Sequence, residues 1–311
     1  MTNELATTTK YDIQLKANEA VKAFDLLPVN ETTRADYKAR IGLYVDFINQ
    51  HGLNRNTLLD YRRYLDSRTD YSVSTKNKYF TSAKRYTGVL HTAGLLPVDI
   101  TKDISGKDLK GFKQNKKHKK DGLQIDEVQR LSEYLQSLEP TLPNYRLKAM
   151  LALFMYQGLR QIEVIRLDVT DIDLKNSKAF IHGKGRDDKE PIALHPYTAQ
   201  ALSDYLTATN KKSGALFTSN SNNSYNQRMT TRGLRKVITG VLDNLGIDNS
   251  VHGFRHYFTT TMVKHYKGDL LTVAHYTRHK NLEMLQVYND AINAEADLPR
   301  YYKAFEGLTI W

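Results

Sequence analysis

The chain has 311 residues, no cysteine, and 45 lysines plus arginines against 34 acidic residues, a formal net charge of +11. The length suits about two domains, and no apolar run approaches the ~18–20 residues of a membrane span, so the expectation is a cytoplasmic protein with no membrane partner. The lack of cysteine excludes disulfides, thiolate catalysis and cysteine-ligated zinc, while a pI near 9.4 points to a polyanionic partner, nucleic acid ahead of an acidic membrane surface, or else to a generic solvated basic surface.

The first residues, "MTNELATTTKYD", have neither a basic n-region nor an apolar h-region, so they do not read as a secretory leader. Residues 1–20 are expected to form a flexible arm. From Thr32 the apolar residues Tyr37, Ile41, Val45 and Ile48 recur at three- and four-residue steps, and Gly52 follows as a stop signal. A second helix fits residues 57–68. A third fits the stretch after Ser74, with Tyr79, Ala83, Tyr86 and Leu90 on one face, Gly94 at its end and Pro97 beyond it. Residues 21–105 therefore read as an all-helical domain.

"GKDLKGFKQNKKHKKDG", residues 106–122, holds seven lysines and two aspartates. Burial would strip each charge of its solvation, so the run reads as an interdomain linker. It is either an exposed connector or a strip lying along a phosphate backbone. On the second reading Lys113, Lys116, Lys117, Lys119 and Lys120 contact DNA.

After the linker the pattern becomes mixed. Residues 125–138 and 145–159 are helical, and a short helix fits "QIEVIRL". The period then moves toward two over 171–174, 177–183 and 189–195, which predicts a small antiparallel sheet with "KGRDD" as a turn. Asp171 and Asp173 read as turn residues. Beyond Tyr197 the chain is mostly helical. The fold class is mainly α with a small antiparallel β-sheet: a helical N-terminal domain, then an α+β domain over 123–311 whose tail spans 289–311.

No phosphate-binding glycine loop, dinucleotide fingerprint or His-Glu-x-x-His helix is present. What stands out is basic residues at structural joints. Arg160 follows Gly158 between two helices, where it is either functional or a capping arginine. Glu163 reads as structural, orienting a nearby backbone or arginine group. Lys184 sits between two glycines at a strand corner, either reaching a phosphate or simply solvated. In "VHGFRHYFTTTM", His252 and Arg255 are three apart and share a helix face near the positive end of that helix, either as an anion site or as a capping histidine and a surface arginine. Phe254, Phe258 and Met262 form its core-facing side.

"RHKNLEMLQVYND", residues 278–290, carries His279 and Tyr288. Nine residues separate them, so they converge only if the chain bends. Leu282, Leu285 and Val287 read as packing residues. A tyrosine, with a reference pKa of ~10, attacks only if a neighbour takes its proton and its electrophile is made less anionic. Arginines, histidines and a lysine supply both for a phosphodiester without a metal ion.

The ordered set Arg160, Lys184, His252-x-x-Arg255, His279 and Tyr288 resembles the tyrosine recombinase (phage integrase) family, in its compact two-domain form similar to Xer recombinases and mobile-element integrases. "GLRQIEVIRLDVTDID" looks like the family's first arginine box, "HGKGRDDKEPIAL" like its hairpin-lysine segment, "HGFRHYFTT" like its His-x-x-Arg box, and "HKNLEMLQVY" keeps its His-to-Tyr spacing. The resemblance covers residues 123 to about 290 well; the helical N-terminal domain is similar to the family's core-binding domain only in size, helicity and position. The chain departs from the family at Arg278, where a glycine is usual, and at Lys280, where a small residue is common. Both are expected to contact DNA.

The resemblance implies a site-specific DNA recombinase needing no cofactor, metal or ATP. Tyr288 would attack the scissile phosphate to form a 3′-phosphotyrosyl bond. Arg160 and Arg255 would clamp the non-bridging oxygens, His252 would assist proton transfer at the tyrosine, Lys184 would protonate the leaving 5′-oxygen, and His279 would donate to a phosphate oxygen. It also implies a homotetramer on two double-stranded DNA sites in a prokaryotic cell, associated with the nucleoid when bound. The apolar tail with Tyr301, Tyr302, Phe305, Leu308, Ile310 and Trp311 would dock on a neighbouring protomer or fold back on its own domain. With only about 20 residues before the helical domain, no extra arm-binding domain is expected. The alternatives are a related topoisomerase or resolvase, a non-enzymatic DNA-binding protein retaining the fold and, further off, a metal-dependent nuclease.

Overall fold

The structure is a computed structural model that describes residues 25, 29–94, 96, 98–103, 106–113, 122–182, 188–279 and 281–303. The chain divides into two compact units, Met1–Lys117 and His118–Trp311, each with its own core.

In the first unit, helix α1 spans Glu31–His51. The Asn30 side chain caps it by accepting from the Thr33 N–H at 2.8 Å, and Gly52, at φ 78°, closes it through its own N–H to the Ile48 carbonyl. Ile41 and Ile48 are buried, and Tyr37 and Val45 pack against the same core. Helix α2, Thr57–Ser67, adds Leu58, Tyr61 and Leu65. Helix α3, Val73–Thr92, begins two residues earlier than the sequence predicts. Ser72 takes the non-helical cap conformation and accepts from the Thr75 N–H at 3.2 Å, which places Ser74 inside the first turn. Tyr86, Phe80 and Leu90 complete the core, where the Thr87 hydroxyl donates to the Tyr44 hydroxyl oxygen at 3.0 Å.

The lysine-rich run departs from a free linker over residues 106–113. Leu109 and Phe112 pack against the first core, and the Phe112 backbone exchanges two hydrogen bonds with the Asn77 side chain, at 2.7 and 3.0 Å. The Arg62 guanidinium donates to the Lys110 carbonyl at 3.1 Å. Two apolar residues within the charged run supply the burial that a fully charged stretch lacks. Lys116, Lys117, Lys119 and Lys120 lie outside the described residues.

In the second unit, α4 (Ile125–Ser137) precedes α5 (Leu142–Met155), the central helix, in which Leu147 and every residue from Ala149 to Phe154 are buried. The short α6 (Gln161–Arg166) follows, then strands β1 (Ile172–Asp173), β2 (Lys178–His182) and β3 (Lys189–Ala193). They form one antiparallel sheet in the order β1-β2-β3, with Ala179 opposite both Ile172 and Ile192. Ala179 and Ile181 point into the core. Asp171 is not a solvated turn residue. It is buried, with Lys189 Nζ at 2.5 Å and the Asp168 N–H at 2.9 Å.

Helices α7 (Pro196–Thr209) and α8 (Thr231–Asn244) flank the central helix. The last three are α9 (Val251–His265), α10 (Leu270–Thr277) and α11 (Glu283–Lys303). They meet in a small separate cluster of Val263, Val273 and Leu285, against which Met262, Tyr266, Ile292 and Tyr288 pack. Leu285 carries the packing expected of its segment, whereas Leu282 is 41% exposed. Residues 304–311 of the tail lie outside the described residues.

Candidate active site

Three segments of the second unit build the site: the joint from Gln157 to Glu163, the start of α9, and the turn from α10 into α11. The joint turns at Gly158, which takes φ 55° and lies so close to Phe258 that a Cβ there would stand 2.3 Å from the ring. Arg160 then starts α6. Its backbone N–H and its guanidinium both donate to the Glu163 carboxylate, each at 2.8 Å. Glu163 is buried, and burial alone would raise its pKa. The charges of Arg278 and Arg160, with the hydrogen bonds from Arg160, outweigh burial and hold it below the ordinary carboxylate value.

Helix α9 presents His252, Arg255 and His256 at i, i+3 and i+4, hence on one side. Arg255 is buried rather than a surface arginine. It donates to the Gly158 carbonyl at 2.5 Å and to the Thr277 carbonyl, so one guanidinium bridges the other two segments. Burial, then the neighbouring Arg160 and Arg278, weigh against its charge. His252 is exposed and meets the His256 ring edge-on, with centroids 4.5 Å apart.

The chain bends between α10 and α11, as convergence of His279 and Tyr288 requires. Arg278 closes α10 in the left-handed conformation, at φ 55°. His279 Nδ1 lies 2.7 Å from the Thr277 hydroxyl oxygen, whose own proton goes to the Val273 carbonyl at 2.8 Å. That hydroxyl proton is therefore committed, so His279 is the donor and a neutral ring carries its proton on Nδ1. Burial, followed by Arg255, Arg160, Arg278 and His256, pushes the His279 pKa down to about 3.

Tyr288 stands on α11 with its hydroxyl hydrogen-bonded to His256 Nδ1. Burial pushes its pKa up to about 12, against the pull of Arg255. His256 and Tyr288 also line one side of a cavity of about 790 Å³, together with Gly122, Leu123, Tyr257 and Val287.

Arg160, Arg255, His252, His279 and Tyr288 thus lie on these three converging segments, and Glu163 joins two arginines. Lys184 and Lys280 lie outside the described residues. Lys113 is exposed in the first unit. Arg278, expected among the DNA-contacting cations, turns inward instead. Its side chain is 9% exposed and its guanidinium is 3.3 Å from Glu163. Sequence reasoning passed over His256, although its position one residue after Arg255 and four after His252 places it on the same helix side. Among the described residues no group of three or more histidines and carboxylates is arranged to hold a metal ion. The arrangement can bind an anionic phosphate among arginines and hold a phenol against an imidazole nitrogen.

The phage integrase family model matches residues 122–295, more than half of the chain and all three segments of the site. The chain belongs to the phage integrase family. Among relatives of this family member, the tyrosine recombinase XerC of Roseiflexus sp. (strain RS-1) is 27% identical over 301 residues, covering 91% of this chain and 92% of that protein. The tyrosine recombinase XerD of Oceanobacillus iheyensis is 26% identical over 284 residues, covering 86% and 90%. In fold, this integrase-family chain is similar to the XerH site-specific recombinase bound to its palindromic difH substrate in a post-cleavage complex. The TM-score is 0.64 at 15% identity, covering 95% of this chain and 97% of that one. It is also similar to the Tn1549 transposon integrase in complex with circular intermediate DNA, with a TM-score of 0.62 at 14% identity, covering 92% and 98%. The mainly helical fold with its small antiparallel sheet is thus the fold of tyrosine recombinases.

Proposed function

We propose that this integrase-family protein is a site-specific DNA recombinase that cuts and rejoins strands through Tyr288. The observation that carries the reading is the Tyr288 hydroxyl held against His256 beside the buried guanidinium of Arg255. The phenol oxygen attacks the scissile phosphorus, the bond from phosphorus to the 5′-oxygen breaks, and a 3′-phosphotyrosyl bond forms. The phenol proton passes to His256, which His252 touches edge-on. Arg160 and Arg255 neutralise the non-bridging oxygens as charge grows in the transition state, His279 donates to one of them, and Lys184 delivers a proton to the departing 5′-oxygen. Attack by a 5′-hydroxyl from the other site reverses each bond change. The phosphodiester energy is thus conserved.

We further infer that four copies act on two double-stranded sites of a chromosome or mobile element in a prokaryotic cytoplasm, and that the part of the tail beyond Ile292 docks on a neighbouring copy. The +11 charge, the lysine run and DNA-bound relatives of the same fold support a nucleic-acid partner. No helix among the described residues is long and apolar enough to cross a membrane.

The test uses a pool of nicked duplexes drawn from the source genome, in which strand loss after cleavage traps the covalent state. In EDTA the wild-type protein should form an adduct that survives denaturant, and Tyr288→Phe should form none. An adduct that persists in Tyr288→Phe and disappears on substitution of another tyrosine would overturn the assignment.

A further inference from the structure

Arg278 occupies a backbone position that disfavours it. At φ 55° it is in the left-handed region, which costs a residue with a Cβ about 1 kcal/mol or more. A glycine would meet the backbone requirement without that cost. The turn itself gives no reason for an arginine here.

Its contacts show where it acts. One terminal nitrogen donates to the Tyr276 carbonyl at 3.1 Å and approaches the Gln157 carbonyl at 3.4 Å. The other reaches the Gly158 carbonyl at 3.4 Å and Glu163 Oε2 at 3.3 Å. These bonds join the α10–α11 turn to the joint that carries Arg160. Arg255 spans the same two segments through Gly158 and Thr277. Glu163 lies between, with one oxygen on the Arg160 guanidinium and the other shared by the Arg160 N–H and Arg278. Without Arg278, Glu163 would keep, among the described residues, Arg160 as its cationic partner. Of Arg255 and Arg278, which both bridge the Arg160 joint and the histidine-bearing turn, Arg255 would remain.

We propose that Arg278 is a positioning residue: a side-chain strut that, through Glu163 and the Gly158 carbonyl, fixes Arg160 relative to His279. It does not touch DNA. The proposal rests on the roles given above to Arg160 and Tyr288. A guanidinium 9% exposed and committed to a carboxylate and three carbonyl groups is poorly placed to neutralise a backbone phosphate. The strut instead sets where the phosphate-binding arginine stands, and small misplacements of such groups are expensive in rate.

The experiment compares wild type with Arg278→Gly, which suits the left-handed backbone and so removes the side chain without straining the turn, and with Arg278→Ala. On a nicked duplex recovered from the adduct pool, Arg278→Gly should cleave about 10- to 100-fold more slowly at saturating DNA, a misplacement-sized loss. Its DNA affinity and salt slope should match wild type. In Glu163→Gln the further loss on removing Arg278 should shrink, because the strut acts through that carboxylate. Amide hydrogen exchange in the free proteins gives a readout independent of activity, and residues 157–163 should exchange faster in Arg278→Gly. Wild-type cleavage by Arg278→Gly, unchanged exchange in that joint, or a loss confined to affinity and salt slope would each overturn the strut. Failure of wild type to form an adduct would overturn the recombinase reading instead, and the exchange measurement would still decide the role of Arg278.

Discussion

The Tyr288 hydroxyl is hydrogen-bonded to Nδ1 of His256, a residue 32 positions earlier in the chain. The pairing puts an imidazole nitrogen on the nucleophile before any DNA arrives. It also places on the tyrosine His256 rather than His252, the histidine to which the resemblance gave proton transfer. His252 is exposed and reaches the tyrosine's surroundings through the His256 ring, while His256 holds the oxygen that must lose its proton.

Replacing His256 with alanine should therefore slow single-turnover cleavage about 100-fold at neutral pH, the scale of a lost general base. The Tyr288 pKa is pushed up to about 12, so the variant must rely on the small phenolate fraction. That fraction grows about tenfold for each pH unit below the pKa. The log rate of His256→Ala should thus climb steeply between neutral and alkaline pH, and the wild-type profile should be shallower. Equal rates and parallel profiles would remove His256 from the proton path.

His279 should take up a proton when the scissile phosphate docks. In the free protein it is neutral, with its pKa pushed down to about 3 and its Nδ1 proton given to Thr277. A phosphate anion among the same arginines favours the charged ring and raises that pKa. Binding then consumes protons, so affinity weakens as pH rises through the pKa of the complex. Calorimetry in buffers of different ionisation heat should show uptake in wild type, and less in His279→Gln. Identical proton counts in the two proteins would refute this.

Glu163 should stabilise the fold in a pH-dependent way. Its folded pKa is depressed below 4.5, so its contribution is fully present above the unfolded value and is lost as pH falls through the folded one. At neutral pH Glu163→Gln should cost about 3 kcal/mol, as expected for breaking a buried ion pair. The difference from wild type in urea unfolding should narrow below the ordinary carboxylate pKa. A constant difference from neutral to strongly acidic pH would mean that packing rather than charge carries the effect.

Gly158 should be far less replaceable than Gly246, although both have positive φ. A Cβ at Gly158 would stand 2.3 Å from the Phe258 ring, whereas nothing lies within 4 Å of one at Gly246. Gly246→Ala should cost only the backbone strain, about 1 kcal/mol. Gly158→Ala adds overpacking of about 1–3 kcal/mol and displaces the carbonyl that Arg255 holds. Equal urea midpoints for the two variants would show that Phe258 yields freely.

Much of the local architecture was legible in the residues themselves. The three- and four-residue spacing of Tyr37, Ile41, Val45 and Ile48, closed by Gly52, reports a helix because periodicity and capping act over a few neighbours. The alternation around Ala179 and Ile181 reports a strand for the same reason. The ordered placing of Arg160, His252, Arg255, His279 and Tyr288 was also visible, because order along a chain survives folding.

The residues alone carried the helices and strands as far as Tyr197, a mostly helical remainder, the mixed fold class and the ordered residue types of an integrase-family chain. Tertiary structure alone decided which of these side chains meet. It put His256 on the tyrosine, drew Leu109 and Phe112 out of the charged run onto the first core, buried Asp171 against Lys189, and turned Arg278 inward to Glu163. The reason is common to all four. Hydrogen bonds, ion pairs and apolar contacts act over a few ångströms in space, and the polar pairs just named are separated in sequence by 18, 32 and 115 positions.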